Sequence, residues 1–271
     1  MLGSSLFASE LRTLFRRRRT QAVLAVLAGV PVLIAVAVRL TESPHPGEGP
    51  PFLDRVTQNG LFVGVTALIV CVPLFLPLAI GVVAGDTIAG EANLGTLRYL
   101  LVAPAGRSRL LLVKYGGAAA FCLAAALVVV AAGAAIGAAL FPVGPVTLLS
   151  GDTISVGASA VRALLVAAYV TVSLLGLSAV GLFISTLTEI PVGAMAATVI
   201  LAITSQILDT IPQLDRLHPW LFTHYWLSFA DLLRDPIAWT SFVDNARLQL
   251  GWAALFGALA WAKLTTRDVL S

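Results

Sequence analysis

Charged side chains are scarce in this sequence. Only 11% of its 271 residues are Asp, Glu, Lys or Arg, whereas about a quarter is usual in a soluble domain. Hydrophobic residues make up 58% of the chain. A chain with so few polar groups cannot cover its surface when it folds in water. The composition therefore excludes an ordinary soluble domain and predicts an integral membrane protein.

The sequence has only two cysteines and no nucleotide-binding loop motif. Cys71 and Cys122 each lie inside an apolar run, which favours small buried side chains over a disulfide framework. The sequence contains no Gly-x-x-x-x-Gly-Lys-Ser/Thr, the glycine-rich loop that cradles the phosphates of ATP. We therefore predict that the chain is not itself an enzyme and holds no cofactor or metal of its own.

Histidine is limited to three residues, two of which lie in one aromatic segment near the C-terminus. In that segment His224, Ser228 and Asp231 are spaced so that they would share one face of a helix. Members of a catalytic triad have to converge on one point, which three residues stacked on one helix rarely do. The pattern His-Glu-x-x-His is missing as well. A membrane enzyme or assembly factor stays an alternative, but interfacial anchoring is the favoured interpretation.

Long apolar runs are abundant. A helix needs about 20 apolar residues to cross ~30 Å of hydrocarbon at ~1.5 Å per residue. Six runs are candidates, and the second contains Pro73 and Pro77, which should kink it. We therefore predict an all-α integral membrane protein with one transmembrane domain over residues 1–271. Its six transmembrane helices are predicted at residues 20–38, 61–84, 110–140, 161–187, 191–208 and 248–264.

Two segments could change this count. The first run follows arginines and ends near Ala35-Val36-Ala37, as a secretory signal would, but it is longer than the apolar core of such signals. Residues 218–233 are apolar enough to touch lipid, yet they include two histidines and Asp231. We interpret them as part of a re-entrant aromatic segment within an extracellular stretch, residues 209–247, and keep a seventh span as the alternative.

The distribution of basic residues predicts the orientation. With six spans and both termini in the cytoplasm, eleven of the 17 Lys and Arg residues lie in inner segments and six in outer ones. Acidic residues divide the other way, five inside and nine outside. This asymmetry follows the positive-inside rule, so we expect both termini to be cytoplasmic.

Two amphipathic segments lie in the predicted cytoplasmic parts. Within residues 1–19, apolar residues recur at helical spacing among arginines, which predicts an interfacial helix along the inner membrane surface. Within residues 85–109, Leu94, Leu97 and Leu101 form an apolar stripe beside polar side chains. Pro104 should end this short helix. An exposed apolar ridge of this kind is typical of a protein-docking element.

The residues of this second segment resemble a known family. The pattern resembles the stretch after the second span of type-2 ABC transporter permeases, the six-helix membrane subunits of bacterial exporters such as those of bacitracin resistance and nitrous-oxide-reductase maturation. The resemblance extends to the six spans, the cytoplasmic termini and the aromatic segment between the last two spans. The residues that carry it are Asp86, Glu91, Gly95-Thr96-Leu97, Leu100-Leu101, Pro104, Arg107 or Arg109, and Lys114.

The resemblance implies a coupling helix that docks on a separate ATPase. Glu91 and Arg98 would be polar partners at the ATPase surface, and Gly95 would allow close backbone approach at the bend. The implied partners are two ATPase subunits, which carry ATP and magnesium, and a second permease copy or a homologous permease in the cell membrane. The residues assigned to coupling are Glu91, Leu94, Gly95, Thr96, Leu97, Arg98, Leu101 and Pro104.

The translocation path is the part of the predicted transporter that the sequence specifies least. No charged residue lies at the centre of a predicted span. This argues against a proton- or sodium-driven secondary transporter or a channel subunit, although the sequence leaves both open. A path lined by apolar and hydroxyl groups would suit an amphipathic, lipid-like or antibiotic-like cargo. The candidate path residues are Thr66, Phe75, Thr198, Thr204, Ser205 and Gln206.

Overall fold

A computed structural model describes residues 2–40, 59–95 and 106–266 of the chain. Nearly all of these residues are helical, and the remaining ones connect the helices. The helices are α1 (Leu2–Arg16), α2 (Arg18–Leu40), α3 (Phe62–Val70), α4 (Leu76–Asn93), α5 (Arg107–Leu140), α6 (Val156–Leu187), α7 (Pro191–Asp209) and α8 (Thr240–Thr266).

The long helices run back and forth through one bundle. We name its two ends by their residues. The inner end holds Asn93 of α4, Arg107 of α5 and Leu187 of α6, and the outer end holds Leu140 and Val156. At the outer end, between α5 and α6, lies a small antiparallel hairpin that the all-α prediction did not contain; its strands are β1 (Val146–Thr147) and β2 (Thr153–Ile154).

Five helical segments of the described chain are long and apolar enough to cross a membrane: Arg18–Leu40, Phe62–Asn93, Arg107–Leu140, Val156–Leu187 and Pro191–Asp209. They include the first five predicted spans. The sixth predicted span, residues 248–264, lies inside α8, which has 27 residues but a less apolar composition. By length and composition, α8 is therefore not among the candidate spans, and the total of six spans stays a prediction.

Two polar residues of α8 lower its mean hydropathy but face the protein. Asn245 and Gln249 are fully buried. Asn245 Nδ2 donates to Ser173 Oγ of α6 at 2.8 Å, and Gln249 Nε2 donates to the Phe222 carbonyl at 2.7 Å. The backbone N–H of Gly176 donates to Gln249 Oε1 at 3.2 Å. A buried amide with all its partners in place is tolerated in an apolar bundle, so these residues do not count against a spanning helix.

Helix α8 also accompanies α6 towards the inner end. The ring of Phe256 in α8 packs edge-on against the ring of Phe183 in α6, with 5.5 Å between the ring centroids. Further along, Leu264 is buried beside Ile88 of α4 and Leu182 of α6. The contacts Asn245–Ser173 and Phe256–Phe183 follow the same order along both helices, so α8 runs parallel to α6. This is the direction that the predicted six-span topology requires of its last helix.

The second candidate span is interrupted where the two prolines predict it. Residues Cys71–Phe75 form a π-helical turn between α3 and α4. Pro77 has no N–H, so it cannot donate to the carbonyl of Pro73 four residues earlier. Gln206 Nε2 of α7 donates to that carbonyl instead, at 2.9 Å. The neighbouring helix thus satisfies the backbone group that the proline leaves free.

Helix α4 continues beyond the predicted end of this span. The sequence places the end at residue 84 because Asp86 and Glu91 follow, whereas the helix runs to Asn93. Both carboxylates have basic partners, Arg17 and Arg19 for Asp86 and Lys114 for Glu91. Because both carboxylates form ion pairs within the bundle, the helix can continue past residue 84 with these charged side chains on it.

Helices α3 and α5 meet through glycines that the sequence analysis did not single out. Gly60 and Gly64 are four residues apart, as are Gly133 and Gly137. A Cβ on any of these four would overlap the backbone of the opposing chain segment or come within 3.0 Å of it. This reciprocal Gly-x-x-x-Gly contact lets the two backbones touch, as in other membrane helix pairs.

The segment between α7 and α8 is a string of short 3-10 turns at Pro212–Leu214, His218–Trp220 and Ser228–Leu233. No helix in this segment, which the structure describes throughout, could cross a membrane, so there is no support for a seventh span. Tyr169 Oη of α6 donates to the Tyr225 carbonyl at 2.7 Å, and Trp252 Nε1 of α8 donates to the Trp220 carbonyl at 3.0 Å. The segment therefore packs into the outer half of the bundle.

The glycine contact generates a stability prediction. Gly133→Ala should lower the free energy of unfolding by about 1–3 kcal/mol, because the new methyl group overpacks against Gly64. The control is Gly257→Ala in α8, where nothing in the described chain lies within 4 Å of the new Cβ. That variant should be neutral or slightly stabilised. Thermal unfolding in detergent measures both, and equal melting of the two variants would contradict the close contact.

Candidate coupling site

A buried lysine lies at the centre of the inner end. Lys114 of α5 is only 5% exposed. Its Nζ lies 3.0 Å from Glu10 Oε1 of α1 and 3.3 Å from Glu91 Oε1 of α4. One ammonium group therefore holds three helices together. A buried cation of this kind requires carboxylate partners, since it would otherwise be strongly destabilising.

Two arginines extend this cluster to α2. Arg17, between α1 and α2, has Nη1 3.6 Å from Asp86 Oδ2 and Nη2 3.6 Å from Glu91 Oε1. Arg19 Nη2 lies 3.1 Å from the same oxygen of Asp86. We call the six residues Glu10, Arg17, Arg19, Asp86, Glu91 and Lys114 the inner ion cluster. It contains three acidic and three basic groups, so its charges balance.

Two adjacent glycines allow α1 to reach this cluster. A Cβ on Gly116 of α5 would lie 3.0 Å from the ring of Phe7, and one on Gly117 would lie 3.5 Å from the Glu10 side chain. Larger residues at either position would move α1 away from Lys114. The apolar face of α1 that predicts an interfacial helix thus packs partly on α5.

A serine fixes the backbone of α4 beside the cluster. Ser185 Oγ of α6 is buried and accepts hydrogen bonds from the N–H groups of Ile88 at 2.9 Å and Ala89 at 2.8 Å. The inner part of α4 is therefore held by side chains of α2, α5 and α6. A displacement of its end has to be transmitted to these helices or has to break their contacts.

The end of α4 is where the predicted coupling residues begin. Leu94 is 73% exposed, so its side chain is free for a partner. Gly95 has φ +70°, and its N–H donates to the Ala92 carbonyl at 2.9 Å. The left-handed conformation that ends the helix favours glycine at this position. Nothing in the described chain lies within 4 Å of a Cβ there, so the close approach at the bend stays a prediction.

The start of α5 is anchored as firmly. Gly106 has φ +73°, and the next residue, Arg107, donates from Nη1 to the carbonyls of Leu264 and Thr265, both at 2.7 Å. These carbonyls belong to the last turn of α8, where a helix cannot satisfy its own acceptors. The sequence allowed Arg107 a role in docking or in topology. The structure shows that it caps α8.

Five of the predicted coupling residues, Thr96, Leu97, Arg98, Leu101 and Pro104, lie outside the described residues. What the structure shows is the attachment of both ends of this segment. One end continues from α4, which the inner ion cluster holds, and the other enters α5 beside α8. Ion pairs hold the first end, and hydrogen bonds from Arg107 hold the second. The role of Glu91 as an ATPase contact stays a prediction, because its carboxylate lies beside Lys114 and Arg17.

The candidate path residues all lie in the described part of the chain, at several different places, and the role of this set stays a prediction. Thr66 lies on the wall of a cavity of about 250 Å³ beside Phe229, and Gln206 lies on a different one of about 190 Å³. Ser205 is buried and shares a hydrogen bond of 2.7 Å with Thr223. Thr198 is buried, and its hydroxyl group donates a hydrogen bond within its own helix. Phe75 is half-buried in the π turn, and Thr204 is exposed on α7.

Sequence reasoning missed the pairing of Glu10 with Lys114. Two signals were present in the sequence. Glu10 is the one carboxylate in a strongly basic N-terminal segment, and Lys114 is one of only two lysines and stands at the edge of an apolar run. Their separation of 104 positions gives no local periodicity to read, so the contact becomes evident only in the fold.

Comparison with known proteins gives one family. A family model described as "ABC-2 family transporter protein" matches residues 7–205 of the chain. The match covers more than half of the 271 residues and includes α2 to α6, most of α7 and the inner ion cluster. The chain has no match among the curated proteins.

From the inner ion cluster we predict that Lys114→Met strongly destabilises the protein. The change leaves Glu10 and Glu91 without their ammonium partner, so the free energy of unfolding should fall by about 1–3 kcal/mol. This is less than the ~3–5 kcal/mol of a fully buried pair, because Glu10 is partly exposed. Lys263→Met, at an exposed position of α8, is the matched control and should melt like the wild type. If both variants melt alike, the cluster does not hold the helices together.

Proposed function

This chain belongs to the ABC-2 family of transporter proteins, and from that premise we propose that it is the membrane subunit of an ATP-driven exporter. Membership makes it a transmembrane subunit that partners with an ABC ATPase. The proposal adds that ATP, with magnesium, is hydrolysed only on that partner, and that the system resembles those of bacitracin resistance and nitrous-oxide-reductase maturation. The chain itself is then not an enzyme, in keeping with its lack of a phosphate-binding loop.

One observation carries the coupling part of this proposal. The segment between α4 and α5 is attached at both ends to the inner end of the bundle, by the inner ion cluster and by the Arg107 cap of α8. An ATPase that binds the exposed Leu94 and the leucines after it could therefore move α4, α5 and α8 together. A flexible attachment would absorb the same movement without passing it on.

A second permease copy is supported by the helices that this chain leaves uncovered. Only 22% of the most apolar window of α2, and of α7, is buried inside the chain, against 61% for Phe62–Asn93 and for α6. Large apolar side chains are exposed along α7, among them Val192, Ile200 and Ile207. We propose that part of this surface packs against the second permease and that two ATPases dock below, with the transport path between the two permeases.

The proposed cargo is amphipathic, either lipid-like or antibiotic-like. Thr204 is exposed on α7, next to apolar residues, while Ser205 and Gln206 are occupied within the chain. The surface that α7 would offer to a path is therefore aliphatic with scattered hydroxyl groups. Such a surface can contact an apolar chain and does not provide the fixed charges that a small hydrophilic ion requires.

The docking proposal is tested by charge substitutions on the leucine stripe. Leu94→Asp and Leu97→Asp should each abolish co-purification of the ATPase, because they place an unpaired charge in an apolar contact. Membrane insertion should be retained, since Leu94 is exposed in the chain alone. The matched control is Asn93→Asp, which puts the same charge at an exposed neighbouring position. If both leucine variants keep the ATPase and coupled ATP hydrolysis, this segment is not the coupling helix.

The proposed topology has six spans, with both termini in the cytoplasm of a cell whose plasma or inner membrane holds the protein. In a background without Cys71 and Cys122, a cysteine at Thr147 should react with an impermeant thiol reagent in intact cells. Cysteines at Ser108 and Thr266 should react only after lysis. Thr147 and Thr266 are exposed, and Ser108 lies at the first turn of α5. Labelling of Thr266 in intact cells would show that α8 does not cross the membrane.

A further inference from the structure

An apolar groove lies at the outer end of the bundle, far from the inner ion cluster. Its volume of about 360 Å³ is within the range of roughly 300–1,000 Å³ that is usual for ligand sites. Its walls are formed by aliphatic side chains of α3, α5 and α6, such as Val65, Leu127 and Ala163. The hairpin residues Val146 and Ile154 contribute to its outer end.

The groove is open towards the lipid. Val156 and Leu164 of α6 line it and are 43% and 58% exposed, so its wall continues onto the outside of the bundle. Leu127 lies 13 residues before the end of α5 at Leu140, which corresponds to about 20 Å of helix. A groove of this length and lining matches the aliphatic chain of a lipid that enters sideways from the outer leaflet.

Among the described residues that line this groove, Arg162 is the only charged one. It is separated from Leu187 at the inner end of α6 by about 37 Å of helix, which exceeds the ~30 Å hydrocarbon thickness. The guanidinium group therefore lies at the level of the outer head groups. Its Nη1 donates to the carbonyls of Leu232 and Arg234, both at 2.7 Å, and these bonds fix its position.

The rest of this guanidinium group has donors to spare. Among the described residues, the partner of Nη2 is Asp235 Oδ1 at 3.9 Å, a distance too long for a hydrogen bond. Asp235 is half exposed. Within the described chain, the rim of the groove thus presents a basic group with free N–H groups and an acidic group beside it. A planar guanidinium binds phosphate oxygens well, and a carboxylate binds an ammonium group.

We propose that this groove binds a phospholipid of the outer leaflet whose head group is a phosphate ester bearing a primary ammonium, as in phosphatidylethanolamine. One acyl chain occupies the groove, the phosphate accepts hydrogen bonds from Arg162, and the ammonium pairs with Asp235. An anionic head group without an ammonium would be repelled by Asp235. A quaternary ammonium would be attracted by Asp235 but could not donate a hydrogen bond to it.

The same contacts connect the lipid to the re-entrant segment. Leu233 lines the groove and stands between the two carbonyls that Arg162 binds. Its own carbonyl accepts from the N–H of Leu149 at 2.9 Å. The lipid would therefore complete a site that joins α6, the hairpin region and the segment before α8. This inference requires that the bundle lies in a bilayer in the proposed orientation, and it does not depend on the proposed export function.

The test uses a fluorescent reporter that senses the nearest lipids. A cysteine at Leu164, in a background without Cys71 and Cys122, is labelled with bimane, and the protein is placed in phosphatidylcholine vesicles. Brominated phosphatidylethanolamine, phosphatidylcholine or phosphatidylglycerol is then added as quencher. The control reporter is a cysteine at Leu250, exposed on α8 away from the groove.

We expect the Leu164 reporter to favour phosphatidylethanolamine over phosphatidylcholine by about two- to fivefold, as one partly exposed ion pair allows. Phosphatidylglycerol should bind no better than phosphatidylcholine, and the Leu250 reporter should show no preference. Asp235→Asn should remove the preference without disturbing the fold, because this side chain is half exposed. Arg162→Gln should weaken the binding of all three lipids at the groove. Ala160→Phe, which fills the groove, should make the Leu164 reporter behave like the control.

Three outcomes would overturn the proposal. Equal quenching by the three lipids at Leu164 would show that the groove is not selective. A preference for phosphatidylglycerol would show that Asp235 does not take part. A phosphatidylethanolamine preference that survives Asp235→Asn would place the ammonium elsewhere. Loss of ATPase docking in the leucine variants is independent of all three results, so the two proposals fail separately.

Discussion

The pairing of buried Lys114 with Glu10 and Glu91 is the interaction on which the inner half of this protein depends. One ammonium group joins α1, α4 and α5, and Arg17 adds the start of α2 through Asp86 and Glu91. A buried charge is tolerated only with its partners in place. The packing of α1 beside α5 and the course of α4 past Glu91 place both carboxylates where this requirement is met.

A related constraint governs the outer half, where each polar group inside the bundle needs a partner because lipid offers none. Gln249 satisfies the Phe222 carbonyl and the Gly176 N–H, and Gln206 satisfies the carbonyl that Pro77 leaves free. Arg162 binds two carbonyls of the segment between α7 and α8. The irregular parts of the backbone are thus held by side chains of the neighbouring helices.

Helix α5 connects the two halves. Its inner end carries Lys114 and the Arg107 cap of α8, its middle contacts α6 through Cys122, whose sulfur lies 3.2 Å from Ser178 Oγ, and its outer end meets α3 through Gly133 and Gly137. A single continuous helix therefore connects the inner ion cluster with the groove at the outer end.

The sequence by itself determined that this is a multi-pass membrane protein, where its first five candidate spans are and which segment resembles a coupling helix, because hydropathy, charge asymmetry and leucine spacing are local properties. Tertiary structure decided the rest. Asn245 and Gln249 reduce the hydropathy of α8, and only the fold shows that they are buried and bonded. Glu10 and Lys114 are far apart in the chain, so no periodicity predicts their contact. The sequence could place these charges near the membrane surface, but only packing determined which of them meet.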